Sequence, residues 1–197
     1  ITEGDTVTGP LWYFQSIGQR NDMVIIDKNI LDFDWYVQNL HKRYPGVIPL
    51  SLLNKPSGTE RLYQIILENI SNRQVFTTFF NESFNNKFLK GFVFTPIGVT
   101  YQVTTAEQDI KHVKERNTKL WASYQLQNLD NYNGSFFVET HVKDYAVALN
   151  NLATLYIEIG LLEEAKEALN KSMKIHPVIK SIAEKNLDLI KRLENKK

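Results

Sequence analysis

YAVALNNLATLYIEIGLLEEAKEALNKSMKIHP, residues Tyr145 to Pro177, spells two amphipathic helices and the turn between them. Leu149, Leu152, Ala153 and Tyr156 fall at i, i+3, i+4 and i+7, which gathers them on one apolar helix face. Ala165, Ala168, Leu169 and Met173 do the same behind a polar face of Glu163, Glu164, Lys166, Glu167 and Lys171. Gly160 ends the first helix, because glycine alone takes the left-handed cap without strain, and Pro177 stops the second. Ala153 and Ala165 are small enough to let the two backbones come close. One such hairpin cannot bury its own apolar face, so it must pack on other parts of the chain.

Working outward, a final helix is predicted from Ile179 to Leu193, with Ile179, Ile182, Ala183, Ile190 and Leu193 on the side that covers the hairpin. Its Lys-rich end is expected to fray. On the other side the chain is helical from Ala106: Lys111 to Arg116 carries a charged face, and Leu120, Trp121, Tyr124 and Leu126 form an apolar patch before a loop at Asp130 to Ser135. Leu149, Leu152-Ala153, Tyr156, Gly160, Ala165 and Pro177 resemble the tetratricopeptide signature, with Ser172 where that family usually has Ala. The pattern occurs once. A helical hairpin used as a cap, or a peptide-binding groove, are the two uses such an element has.

Residues 1 to 104 read differently. Ile1 to Glu3 reads as the tail of a strand and Met23 to Ile26 as a short, continuously apolar run of the kind a buried parallel strand shows, and helical signals follow each. Pro10 suits a first helical turn, with Leu11, Phe14 and Ile17 on one face; a second helix spans about Phe33 to Arg43, with Asp32 as its cap. Ser57 caps a third, with Leu62, Ile65, Ile66, Asn69 and Ile70 inward and Arg61 and Glu68 toward water. Val75 to Phe80 is a predicted strand, and Phe92 to Thr95 and Val99 to Val103 flank Pro96-Ile97-Gly98 as a hairpin. The expected class is therefore α/β: a small, mainly parallel sheet with flanking helices over 1–104, and an all-helical tetratricopeptide-like region over 105–197 packed on it.

Composition narrows the function classes. In 197 residues, 43% hydrophobic content supports a substantial core. The net charge of +1, from 23 basic and 22 acidic residues, offers no electrostatic footprint for nucleic acid. The absence of Cys removes disulfides, Cys-ligated zinc and thiol nucleophiles together. His41, His112, His141 and His176 show no metal-binding spacing, so neither metal nor cofactor is expected. The chain opens on Ile1, and its first residues read as the end of a strand entering a turn, so it is expected to be a piece of a longer protein.

Gly4-Asp5-Thr6-Val7-Thr8-Gly9 lies at a strand-to-helix transition, where a helix N-terminus can hold an anion or merely be capped. Residues that follow parallel strands converge at the carboxyl edge of a sheet, the usual ligand edge of open α/β folds. That reasoning selects Asp5, Thr8, Trp12, Asp27 and Asn29 as candidate ligand-binding residues, with Tyr13, Trp35 and Tyr36 nearby. Aromatic rings beside acids and amides suit a sugar, which stacks its apolar face and offers its hydroxyls. The same rings serve equally as core.

GDTVTGPLWYFQ (Gly4 to Gln15), DMVIIDKNILDFDWYVQNL (Asp22 to Leu40), QVFTTFF (Gln74 to Phe80) and FVFTPIGVTYQV (Phe92 to Val103), ahead of the hairpin, resemble the soluble C-terminal region of bacterial polytopic membrane proteins. That family is similar to protein O-mannosyltransferases and other GT-C-type glycosyltransferases; it often has a second acid where this chain has Val7, and Asn where it has Asp27. The resemblance implies an extracytoplasmic accessory domain without catalytic residues of its own. Its parent would use a lipid-linked sugar, and its partners would be its own membrane domain and a glycan or acceptor protein. The alternatives are a protein-interaction module unrelated to sugar transfer and an independent small-molecule-binding α/β enzyme.

Overall fold

The computed structural model describes residues 1–126 and 136–195, and the chain divides into two compact units. The first is Ile1–Thr95 with Tyr101–Gln108; the second is Pro96–Thr100 with Asp109–Lys197. The predicted loop at Asp130 to Ser135 lies outside the described residues, as do the last two lysines of the expected frayed end.

The first unit holds helices α1 (Asp5–Ser16), α2 (Asp34–Arg43), α3 (Gly58–Asn69) and α4 (Glu82–Phe88), with 3-10 turns at Lys28–Ile30 and Leu50–Asn54. The strands are β1 (Val75–Thr77), β2 (Val93–Ile97) and β3 (Thr100–Thr104), in the order β1-β3-β2, with the β2–β3 tip, residues 96–100, counted in the second unit. The sheet is antiparallel, with Val75 opposite Val103 and Thr77 opposite Tyr101, and β2 and β3 form a hairpin. This overturns the expected α/β class: the fold is mostly helical and its small sheet is not parallel. The predicted parallel pair shrinks to one bridge, Thr2 with Asp27, closed by Thr2 N–H to Ile26 O (2.8 Å) and Lys28 N–H to Thr2 O (3.0 Å). No ladder grows from it because both chains turn at once. Gly4, at φ +85°, starts α1, and the Asp27 carboxylate caps the turn at Lys28 by accepting from Asn29 N–H. Ile1 pairs instead with the strand region beyond β1, where Thr78 N–H donates to Ile1 O at 3.1 Å.

Local signals fare unevenly here. Ser57 caps α3 through Glu60 N–H as expected. Helix α1, however, starts at Asp5 and carries Pro10 inside it, and Phe33 rather than Asp32 precedes α2. Thr77 Oγ donates to Phe79 O at 2.9 Å where the chain leaves β1, so the strand stops short of Phe80. Helix α4, capped by Asn81 through Phe84 N–H, has no counterpart in the sequence reading. Leu31, Val37, Ile48, Leu52, Ile66 and Leu89 are fully buried at the centre of this unit.

The second unit comprises α5 (Ile110–Ser123), α6 (Phe136–Glu158), α7 (Leu162–Ile175), a 3-10 turn at Pro177–Ile179 and α8 (Lys180–Glu194). The α6–α7 turn closes with Leu161 N–H to Tyr156 O (2.8 Å) and Gly160 N–H to Ile157 O (3.1 Å) around Gly160 at φ +80°, a Schellman ending. Ala146, Ala153, Ala165 and Leu169 are buried between the two helices, and Ala183 and Ile190 of α8 join the same core. Ile182, expected on the covered side, is half exposed. The hairpin tip 96–100 is held within this unit by Asn117, whose Oδ1 accepts from Gly98 N–H (2.9 Å) and whose Nδ2 donates to Pro96 O (3.0 Å). No described helix is long and apolar enough to cross a membrane.

Candidate functional site

Of the five residues selected from sequence, the structure joins three. The Thr8 hydroxyl donates to Asp27 Oδ2 at 2.9 Å and lies 2.7 Å from the Thr2 hydroxyl. Asp27 Oδ1 accepts from Asn29 N–H at 2.9 Å, and Asp27 N–H donates to the Tyr36 hydroxyl at 2.9 Å. With 2% exposure, Asp27 has both carboxylate oxygens engaged inside the protein. Burial pushes the Tyr36 phenol up to about 12, so it stays a neutral acceptor for that N–H. The knot ties the start of α1 to the turn at Lys28. Asp5 and Trp12 lie one turn before and one turn after Thr8 on the same side of α1, both exposed.

Asn29 also borders something else, a cleft of about 400 Å³ lined by Lys28, Asn29, Asp32, Gly58, Thr59, Leu62 and Phe84. Asp27 orients the turn that carries Lys28 and Asn29, and the capped first turn of α3 supplies Gly58 and Thr59. Asp32 Oδ1 accepts from Gly58 N–H at 2.5 Å. That approach needs glycine, because a Cβ on residue 58 would stand 2.9 Å from Asp32 N. Lys28 Nζ pairs with Glu3 Oε1 at 2.8 Å and sits 4.6 and 5.0 Å from the ring centres of Phe79 and Phe84. Behind the cleft Arg61, expected at the surface, is buried. Its guanidinium donates to Leu52 O (3.1 Å), Leu31 O (2.8 Å) and Asp32 O (3.1 Å) and pairs with Asp34, fixing the wall that carries Asp32.

Sequence reasoning thus reaches Asn29 and misses Lys28, Asp32, Thr59 and Phe84. Asp32 and Ser57 are visible in it only as helix caps, and Gly58 and Thr59 not at all. The 26-residue separation between Asp32 and Gly58 lies beyond any local spacing rule. What the cleft offers chemically is an ammonium, a carboxylate, an amide and a hydroxyl beside the carbon surface of Phe84, a set that suits hydroxyl groups. Among the described residues no three His, Asp or Glu gather to hold a metal ion.

Neither a curated protein nor a solved structure matches this chain. The profile of TMEM260-associated domain 2 matches it over residues 1–194, both units included, and the chain belongs to that family.

Proposed function

We propose that this chain is the non-catalytic accessory domain of a membrane-embedded glycosyltransferase that uses a lipid-linked sugar, holding acceptor, glycan or partner protein for a catalytic acid carried elsewhere. Membership of the TMEM260-associated family over residues 1–194 is the observation that supports it most. The resemblance of Gly4 to Gln15 and Asp22 to Leu40 to membrane proteins similar to protein O-mannosyltransferases points the same way. In this reading the domain lies outside the cytoplasm, attached to its own membrane part. The chemistry is consistent: Asp27, the acid buried most deeply among the described residues, already accepts from Thr8 and Asn29 and has no lone carboxyl to offer as a general acid. Asp144 is pushed up by burial, but it stands on α6 beside His141 and Lys143 with its side chain half exposed.

The test is an assay of the purified chain with a polyprenyl-phosphate-linked sugar and an acceptor peptide. The expected result is saturable binding of acceptor or glycan without turnover. Glycosyl transfer or glycoside cleavage that Asp5→Ala abolishes would overturn the proposal. A second reading, a protein-interaction module with no link to sugar transfer, draws support from Ile182 and Leu189, which are 50% and 44% exposed on α8. It predicts binding that Ile182→Glu removes and that no sugar competes with.

A further inference from the structure

The charges around the cleft discriminate between ligands. Its cation, Lys28, is already paired with Glu3, and its anion, Asp32, already caps α3. A phosphate or carboxylate entering here meets two carboxylates for one ammonium, and the positive end of the helix is occupied by Asp32. An uncharged, hydroxyl-rich ligand meets no such conflict. The Asn29 amide and Thr59 hydroxyl each donate and accept, Lys28 donates, and Asp32 Oδ2 accepts, while the half-buried Phe84 ring presents carbon to the apolar side of a sugar ring and Leu62 packs beneath the floor. A volume of about 400 Å³ is at the small end for ligand sites, which suits one or two sugar residues.

We propose that this cleft binds an uncharged saccharide, a short glycan on the acceptor side, and rejects the phosphate-bearing donor. The assignment rests on the accessory-domain reading above and adds its ligand class and place. Asn29 and Thr59 are the specificity residues. Asn29 is exposed and its bond to Asp27 uses only its main-chain N–H, so its amide is available to a ligand. Lys28 and Asp32 set the charge balance.

Amide chemical shifts of the full chain, recorded while methyl mannoside, methyl glucoside, mannose 1-phosphate or a Ser/Thr-rich peptide is added, test this. The neutral glycosides are expected to move the amides of 28–32 and 58–62 saturably, and to bind about ten-fold or more tighter than mannose 1-phosphate. Asn29→Ala and Thr59→Val are each expected to weaken that binding by about three- to ten-fold at an unchanged melting temperature. Tighter binding of the phosphate, or wild-type affinity in both variants, would overturn the proposal. Glycoside shifts confined to other segments overturn the cleft assignment and leave the accessory reading standing. If neither glycosides nor peptide bind anywhere, both fall.

Discussion

The α6–α7 hairpin and the first unit hold their backbones by opposite means. In the hairpin the decisive contacts are short in sequence: a Schellman turn at Gly160, and alanines that repeat at helical spacing on facing helices. In the first unit they are long. Arg61 gathers the carbonyls of Leu31, Asp32 and Leu52, Asp32 binds the N-terminus of a helix 26 residues away, and Thr78 closes onto Ile1. Periodicity stabilises the first kind of structure through many small apolar contacts; a few buried polar groups organise the second. Single substitutions should therefore be felt most where one side chain serves several backbone groups.

The largest effect is expected for Arg61→Leu. It removes the donors of three carbonyls in the buried interior, while Asp34, 64% exposed, stays hydrated; the orphaned carbonyls should cost about 3–5 kcal/mol in urea unfolding of the first unit. Arg61→Lys should recover little, since one ammonium cannot span the fork. If Arg61→Leu costs no more than a hairpin variant, the contrast between the two regions is wrong.

Gly98→Ala comes next. At φ +59° a new Cβ would overlap the Tyr124 hydroxyl, so strain and overlap together should cost about 2–3 kcal/mol. Adding Tyr124→Phe should return the overlap share and leave the φ share, a split that a double-mutant cycle measures.

Each unit also carries one tyrosine held near pKa 12 chiefly by burial, Tyr36 in the first and Tyr156 in the second. A phenol whose folded pKa exceeds its unfolded value near 10 contributes stability in full below pH 10 and loses it as pH rises toward 12. The loss should be about 1–2 kcal/mol per unit, allowing for incomplete burial. Tyr36→Phe and Tyr156→Phe should flatten the alkaline slope of unfolding, and Tyr36→Phe should also be less stable at neutral pH because Asp27 N–H loses its acceptor. An unchanged slope in either variant would place that phenol in water.

The same contrast explains what was legible in the sequence. Leu149, Leu152, Ala153, Tyr156, Gly160 and Ala165 sit where their spacing puts them, and Ser57 caps where it should. Met23 to Ile26 has the composition of a buried strand, and Ile25 and Ile26 are buried, yet composition does not say what its backbone pairs with, and it bonds Thr2 at one bridge only. Arg61 reads as a surface residue because a charged side chain ordinarily is one; its burial depends on carbonyls 9 to 30 residues away. Of the site, Asn29 is reached because it follows an apolar run, whereas Lys28, Asp32 and Thr59 face one another only after α3 has folded back against the turn at Lys28.

Within the hairpin itself, effects should be small and separable. A Cβ added at Gly160 would meet no atom within 4 Å, so Gly160→Val meets backbone strain alone, about 1 kcal/mol or somewhat more. Ser172→Ala should do less still. Ser172 is fully buried, and its hydroxyl donates to Ala146 O at 2.8 Å, so a polar group stands where the tetratricopeptide signature usually has Ala. Ala146 lies inside α6, where its carbonyl also serves the helical ladder, so deleting the hydroxyl leaves no orphaned acceptor. The hydroxyl and its single bond leave together, and the resulting gap is one atom wide. Gain and loss should cancel to within about 0.5 kcal/mol, a shift of roughly 1–2 °C in melting temperature for a chain of this size. A drop several times larger would mean that the hydroxyl, and not the alanine packing, sets how α6 and α7 meet; the hairpin would then depend on a long-range polar tie of the same kind as Arg61.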